Sequence, residues 1–175
     1  MVDYITDEVK ALIGAESEWE EAWDPVERGQ IRRHVQATMD PDPVYWDEAA
    51  AKKSRYGGVV APPLFPLHAL RVRPDAPDPF ERAATDPHFD GSVRGVMKGL
   101  PPLPIPLTRV LNGGNAVEVY QLAKPGEKIR IKSKYLDIYQ KEGRSGTMVF
   151  LLTETVYTNQ KGELLLKAVQ TRIMR

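Results

Sequence analysis

The sequence of 175 residues contains no cysteine. This absence excludes disulfide bonds, cysteine-ligated metal sites and thiol nucleophiles. Lysine plus arginine equals aspartate plus glutamate at 24 each, so the formal net charge is zero. Because a general nucleic-acid-binding face needs an excess of basic residues, we expect no nucleic-acid partner.

Long apolar runs are also missing from the chain. No stretch approaches the roughly 18–20 consecutive apolar residues that a membrane-spanning helix needs. The first ten residues, MVDYITDEVK, are acidic and lack the basic-then-apolar order of a secretory signal peptide. The sequence therefore predicts a cytoplasmic protein that does not enter a membrane. Residues 1–175 have the length of one domain with a sizeable core.

Proline, in contrast, is plentiful. The chain has 15 prolines, which cluster between Pro62 and Pro106. Residues 71–110 carry many Pro, Asp and Gly turn formers and predict a long insert with little regular structure. Connections of this length are unusual inside a compact domain and are often functional. We expect the insert to be a lid, a wall of a binding cleft or a partner surface.

The N-terminal residues 1–23 predict a helical extension of the domain. Thr6 is placed to cap its first helix. Trp19 and Trp23 are four residues apart, so in a helix they share one face and serve as packing anchors. Asp24-Pro25 then predicts the start of a second helix, because Asp is a favoured N-cap and Pro is tolerated at the first helical position.

The C-terminal third carries the clearest secondary-structure signal. Alternating and β-branched residues predict four strands, Asn115–Ala123, Lys128–Tyr139, Thr147–Thr158 and Leu164–Ile173. Turn formers separate them at Pro125-Gly126, Glu142–Gly146 and Asn159–Gly162. Three consecutive hairpin-like connections predict an antiparallel meander. Helices followed by such a sheet indicate the α+β class.

The chain is organised around Met39–Pro63, which joins the helical and sheet regions. Asp40 and Asp42 alternate with prolines that fix the backbone. Asp47 is placed to cap the short helix that follows, and Gly57-Gly58 is expected to end it. Such a stretch can hold a small group of atoms in fixed positions, or it can be a loop–helix–loop without chemistry.

Two histidines flank this central stretch. The apolar residues Leu64–Leu70 predict a short buried helix that contains His68, and His34 lies on the predicted second helix. A single histidine on an apolar helix is more often a packed or surface residue than a catalytic one. We therefore place catalysis on neither histidine from the pattern alone.

Taken in this order, the elements resemble the MaoC-like dehydratases and, more closely, their N-terminal FAS1-like dehydratase branch. Met39–Tyr45 corresponds to the family motif G-D-x-N-P-x-H, and Asp47 follows it. Tyr56–Pro63 corresponds to the F-G-G-x-I-A-H-G step. Ala61–Phe65 matches the A-P-P-x-F step of the branch, and Leu111–Gly114 matches its Gly-Gly turn before the first meander strand.

The resemblance implies a hot-dog fold, in which an antiparallel sheet wraps around a central helix. It implies (R)-specific enoyl-CoA hydratase or 3-hydroxyacyl-thioester dehydratase activity on a coenzyme A thioester, without a further cofactor or a metal. Asp40 stands at the position of the catalytic aspartate and Tyr45 at that of the histidine. A phenol with a pKa of about 10 is a poor general base at neutral pH. Pro62-Pro63 replaces the His-Gly whose backbone N–H polarises the thioester carbonyl.

Two sets of site residues follow from the resemblance. Asp40 and Tyr45 are the candidate catalytic residues. The candidate substrate-binding residues are Gly57, Gly58, Val59, Ala61, Asn112, Gly113, Gly114, Lys141 and Arg144. Lys141 and Arg144 lie at or near a predicted turn, where they either meet the phosphates of coenzyme A or are solvated surface charges.

Tyr45 at the histidine position and Pro62-Pro63 at the His-Gly position imply a catalytically degenerate subunit. Its expected partner is a small, histidine-bearing MaoC-like subunit in a heterodimer or a 2+2 heterotetramer, and a homodimer otherwise. Two alternatives stay open. One is a self-sufficient hydratase that uses Asp40 with Tyr45, His68 or His88, and the other is a non-catalytic acyl-CoA-binding module. In the degenerate-subunit hypothesis, the insert at 71–110 shapes the acyl tunnel for a bulky acyl group.

Overall fold

The protein is described here by a computed structural model that covers residues 2–70, 81–86, 99–107, 109–144 and 146–175. Its α-helices are α1 (Asp7–Ala11), α2 (Arg28–Thr38) and α3 (Glu48–Lys53). Short 3-10 helices lie at Pro43–Tyr45, Phe65–His68 and Glu81–Ala84. The strands are β1 (Glu20–Glu21), β2 (Val110–Val119), β3 (Ile129–Gly143), β4 (Gly146–Asn159) and β5 (Leu164–Met174). They form one antiparallel sheet, so the predicted α+β class is confirmed.

The order of the strands differs from the expected meander. It is β1-β3-β4-β5-β2, so β2 pairs with β5 and not with β3. The turn at Pro125-Gly126 therefore does not close a hairpin. Residues 14–22 lie beside β3 in place of β2. The N–H groups of Gly14, Ser17 and Ala22 donate to carbonyl oxygens of β3 at 2.8 Å.

The predicted N-terminal helical extension is wrong beyond α1. Thr6 does cap this helix, because its Oγ1 accepts a hydrogen bond from the N–H of Val9. Residues 14–22 are extended instead, since the unpaired backbone of β3 offers hydrogen bonds that outweigh a weak local helix preference. Trp19 and Trp23 are consequently 43% and 56% exposed and do not anchor the core.

Helix α2 begins later than Asp24-Pro25 predicts. Its N-cap is Glu27, which makes no side-chain capping bond. The reason lies at Val26, whose N–H donates to the carbonyl of Glu127 and whose carbonyl accepts from Gly126, both at 2.8 Å. These two hydrogen bonds hold Val26 against the turn before β3, so α2 begins only at Arg28.

Two apolar clusters line one face of the sheet, which we call the concave face. The first is formed by α2, α3, the 3-10 helix Phe65–His68 and the part of the sheet that contains Ile129. The second is formed by α1, residues 99–107 and the part of the sheet that contains Tyr135. Helices thus fill the space that the sheet wraps, as the hot-dog fold requires.

The predicted helix Leu64–Leu70 is shorter than expected, because only Phe65–His68 is helical and it is a 3-10 helix. Part of the proline-rich stretch belongs to the core, since Leu100 and Ile105 are buried in the second cluster. Residues 71–80 and 87–98 of the expected insert lie outside the described residues. Among the helices that the structure describes, none is long and apolar enough to cross a membrane.

Candidate functional site

Asp40 lies in the tight turn that follows α2. Met39 adopts the left-handed conformation at φ 54°, which ends the helix. The N–H of Asp40 then donates to the carbonyl of Val35, and its Oδ1 accepts from the N–H of Asp42. Asp42 repeats this pattern with the N–H of Val44. Both carboxylates therefore have a structural task, as aspartates in turns often do.

Tyr45 is packed in the first apolar cluster at the end of the 3-10 helix and is 9% exposed. Burial raises the pKa of Tyr45, and the nearby charges of Asp40 and Asp42 raise it further. The phenol consequently keeps its proton at neutral pH. It can donate a hydrogen bond but cannot accept a proton from water as a base.

Two imidazoles lie together beside this turn. The rings of His34 on α2 and His68 on the 3-10 helix have centroids 5.5 Å apart. Phe65 packs edge-on against His34 at 5.6 Å. Burial lowers the pKa of His34, the charge of His68 lowers it further, and Asp40 opposes both effects. Sequence reasoning missed this pair, because no local pattern signals that residues so far apart in the chain will meet.

The Gly-Gly step lies after α3. Asp47 caps this helix as predicted by accepting two first-turn N–H groups. The helix ends with Ser54 as its C-cap, before the glycines, and Gly57 then adopts φ +70° in a separate turn. Gly58 borders open space, since a Cβ placed on it would meet no atom within 4 Å. Val59, in contrast, is buried in the first cluster.

The backbone N–H groups of Ala61 and Phe65, just beyond this step, already have partners. Ala61 is buried, and its N–H already donates to the carbonyl of Ala123 at 2.8 Å. Pro62-Pro63 has no N–H to offer. The N–H of Phe65 bonds back to the carbonyl of Pro62 at 3.0 Å. Neither the Ala61 N–H nor the Phe65 N–H is therefore free to donate to a thioester carbonyl.

Asn112, Gly113 and Gly114 lie within β2 and not in a turn before it, which corrects the sequence prediction. They form a β-bulge against β5. A Cβ on Gly113 would lie 2.8 Å from Thr171 Cγ2, and Gly114 has φ +119°. Asn112 Oδ1 accepts from the N–H of Gly114 at 3.0 Å. The pair of glycines is thus required by the shape of the strand.

Lys141 and Arg144 lie far from the candidate residues of the central motif, Asp40 and Tyr45. The Lys141 ammonium is 5.2 Å from the ring centroid of Tyr139 and 5.4 Å from that of Phe150, and these two rings stack. Tyr45 packs in the cluster around Ile129, at the opposite end of β3. Lys141 lies twelve positions after Ile129 in β3, which is about 40 Å of strand length at about 3.3 Å per residue. The structure does not bring these cations to Asp40.

The site thus gathers Asp40, Tyr45, His34 and His68 but presents no complete acid–base pair at the motif positions. Within the ranges that the structure describes, no group of three His, Asp or Glu side chains is placed to hold a metal ion. The arrangement can line a binding surface and donate hydrogen bonds. Fold and site together define a hot-dog domain of the dehydratase class with an altered motif.

Comparison of the sequence with known protein families identifies the family to which the chain belongs. Residues 11–168 match the family described as "FAS1-like, dehydratase domain region". The chain therefore belongs to the FAS1-like dehydratase domain family, as its motifs led us to expect. A UPF0336 protein of Thermobifida fusca is 48% identical over 42 residues, which are 24% of this chain. That match spans only 28% of the relative's length.

Solved structures support the fold. A chain of the ChsH1-ChsH2 complex from Mycobacterium tuberculosis is similar with a TM-score of 0.70 and 20% identity, over 95% of this chain and 86% of that chain. A chain of the C-terminally truncated HadBC (3R-hydroxyacyl-ACP dehydratase) complex from the same organism has a TM-score of 0.59 and 17% identity, over 93% and 96% of the chains. At these identities the likeness shows the hot-dog fold.

Proposed function

We propose that this chain is one subunit of a heteromeric (R)-specific enoyl-CoA hydratase or 3-hydroxyacyl-CoA dehydratase. It shapes the acyl-binding tunnel, and a smaller MaoC-like hot-dog partner supplies the catalytic aspartate and histidine. Membership of a dehydratase family supports the type of reaction. The substrate, the partner and the division of labour are parts of the proposal.

The observation that carries the proposal is the buried Tyr45 at the position of the catalytic histidine. Hydration adds a hydroxyl group to Cβ of the enoyl thioester and a proton to Cα. This needs a base for the water and an acid for Cα, and a carboxylate with an imidazole can share both tasks near neutral pH. Tyr45 remains a phenol there, because burial raises its pKa. An imidazole must therefore come from elsewhere.

A sheet edge with which no described residue pairs supports a protein partner. β2 is the last strand of the sheet, and its residues are exposed apart from Val117. An exposed edge with apolar side chains is a template for pairing with another strand. The ChsH1-ChsH2 and HadBC structures are complexes by name, which is the assembly that we propose for this chain.

The test is hydration of a set of 2-enoyl-CoA thioesters by the chain alone and by the chain co-purified with a histidine-bearing MaoC-like subunit from the same genome. We expect activity only in the mixture. Replacing the partner's motif histidine should abolish it, whereas Asp40→Asn in this chain should leave kcat within about threefold. Activity lost with Asp40→Asn but kept without the partner's histidine would overturn the proposal.

The paired histidines favour a second candidate, a self-sufficient hydratase. His34 lies within the electrostatic reach of Asp40 and beside His68. A carboxylate and an imidazole are therefore neighbours here, although the imidazole comes from α2 and not from the motif. The same assay separates the candidates, because this one requires turnover by the purified chain that His34→Asn and Asp40→Asn each abolish. Thioester binding without turnover in every pairing would leave the non-catalytic module.

A further inference from the structure

The concave face carries a polar row between its two apolar clusters. Directly opposed residues of neighbouring antiparallel strands point to the same face of a sheet. One row across four strands follows from the register: Tyr135 pairs with Thr153, Thr153 with Gln170, and Gln170 with Asn115. The parallel row nearer the first cluster contains Ser133, Thr155, Ala168 and Val117. Its two hydroxyl groups, on Ser133 and Thr155, pair with each other. The row through Thr153 differs because its buried threonine hydroxyl has no partner among the described residues.

Thr153 is the buried member of this row whose hydroxyl has no hydrogen-bond partner in the described part of the chain. The residue is 7% exposed, and its hydroxyl oxygen contacts no partner among the residues that the structure describes. Thr155, two residues along the same strand, shows the usual solution, since its hydroxyl pairs with that of Ser133 at 3.0 Å. A buried polar group without a partner destabilises a fold unless a bound molecule satisfies it.

Exposure falls along the row from the free edge inward. Asn115 on β2 is exposed, Gln170 on β5 is half-buried and Thr153 on β4 is buried. Tyr135 closes the inner end, because its hydroxyl donates to the carbonyl of Pro101 at 2.8 Å. The row therefore opens at β2, where the proposed partner pairs, and ends at the unsatisfied hydroxyl.

A cation borders the same strip. Arg172 lies opposite Leu151 in the adjacent row of the concave face and is partly buried. Burial lowers the pKa of the Arg172 guanidinium, and the neighbouring Tyr135 opposes this. The guanidinium has only N–H donors, and the side chains of Thr153, Gln170 and Asn115 can each donate as well as accept a hydrogen bond. The shared chemistry of the strip suits an acceptor oxygen and does not suit a plain alkyl chain.

We propose that Thr153, Gln170 and Asn115, with Arg172 beside them, form a subsite for an oxygen atom on the acyl group of the thioester substrate. The oxygen belongs to a keto or hydroxyl group remote from the reacting double bond. This inference rests on the proposed hydratase function and narrows its substrate class. It assigns these residues to specificity and not to the chemical step.

The test compares paired 2-enoyl-CoA thioesters of equal length, one with a keto group and one with a methylene at the same remote carbon, with that position varied along the chain. The complex of the full chain with its hot-dog partner should prefer the keto compound by about three- to tenfold in kcat/KM at one or more positions, as one buried hydrogen bond can provide. Thr153→Val and Gln170→Leu should each remove most of this preference.

Thermal denaturation of the chain gives a readout independent of turnover. Thr153→Val keeps the side-chain shape and removes the unsatisfied hydroxyl, so it should raise Tm by a few degrees. The matched variant Thr155→Val breaks a made hydrogen bond, so it should lower Tm without changing the keto preference. Saturated keto-acyl-CoA should also raise the Tm of the unmodified chain more than its methylene analogue does.

Five outcomes separate the two proposals. Turnover without a keto preference overturns the subsite alone, and so does a preference that survives Thr153→Val. A lower Tm for Thr153→Val also contradicts it, because a bound water would then be satisfying the hydroxyl. A keto-dependent Tm shift without turnover in any pairing keeps the subsite and overturns the hydratase proposal. Neither turnover nor a shift overturns both.

Discussion

The two edges of the sheet differ in how they are protected. Along β3, residues 14–22 of the same chain pair with the strand, and Glu16 and Glu21 make ion pairs with its cations. Along β2, no described residue pairs with the outer edge. Four apolar residues of this edge are between 42% and 52% exposed, namely Val110, Leu111, Val119 and Tyr120.

The difference indicates what each edge is for. Charged side chains on an edge discourage further strand addition, whereas a long apolar edge invites it. The chain thus covers the Ile129–Tyr135 part of one edge with its own charged segment and leaves the β2 edge suited to a second protein. The exposed end of the polar row also lies at β2. A partner bound at this edge would therefore lie next to the proposed oxygen subsite.

The largest expected effect comes from placing charge on the free edge. The double variant Leu111→Lys, Val119→Lys should weaken partner binding by at least about tenfold, because each lysine would be buried without a counter-charge on association. Hydration activity of the mixture should fall with it. Size-exclusion chromatography with light scattering measures the association, and thermal denaturation checks that the isolated chain still folds.

The matched control lies on the covered edge. Glu18 is exposed on the segment that pairs with β3. Glu18→Lys should leave association unchanged within about twofold, since surface substitutions away from an interface have small effects. Loss of association with Glu18→Lys but not with the β2 double variant would reverse the assignment of the two edges.

A smaller effect tests the shape of the free edge. Gly113→Ala would place a Cβ 2.8 Å from Thr171 Cγ2 and 3.1 Å from the carbonyl oxygen of Thr171. Overpacking of this kind costs about 1–3 kcal/mol of the free energy of unfolding. Urea denaturation measures it against Gly58→Ala, where a Cβ meets open space. Equal stability of the two variants would contradict the bulge geometry.

Local sequence patterns predicted which segments form helices and strands better than they predicted which strands lie side by side in the sheet. The four long strands, the Thr6 and Asp47 caps and the antiparallel pairing follow from periodicity and from side-chain hydrogen bonds within a few residues. The pairing of β2 with β5 does not, because it depends on which segment occupies the edge of β3. Residues 14–22 contain helix-favouring glutamates, and only the tertiary contact makes them extended.

The same limit applies to the candidate site. The turn at Asp40 and the replacement of the motif histidine by Tyr45 can be identified in the sequence alone. The contact of His34 with His68 joins two elements on opposite sides of the motif, and the polar row through Thr153 depends on the register of four strands. Such arrangements appear only when the chain is folded, since no short-range pattern encodes them.

The smallest expected effect concerns the covered edge. Glu16 lies 2.6 Å from the Lys132 ammonium and 3.9 Å from that of Lys134. The hydrogen bond from Lys132 and its charge lower the pKa of Glu16 below the usual 4.5, and Lys134 adds to this. Because the folded-state pKa is the lower one, the ion pair stabilises the fold above about pH 4.5. This stabilisation is lost as the pH falls through the folded-state pKa.

Glu16→Gln should therefore lower Tm slightly at pH 6, and the difference from the unmodified chain should vanish toward pH 3. High salt should reduce the difference at pH 6, because an exposed pair is screened. Lys132→Gln should show the same pH dependence, and the double variant should add little to either single variant. A difference in Tm that is constant from pH 6 to pH 3 would show that the charge of Glu16 does not help to hold residues 14–22 against β3.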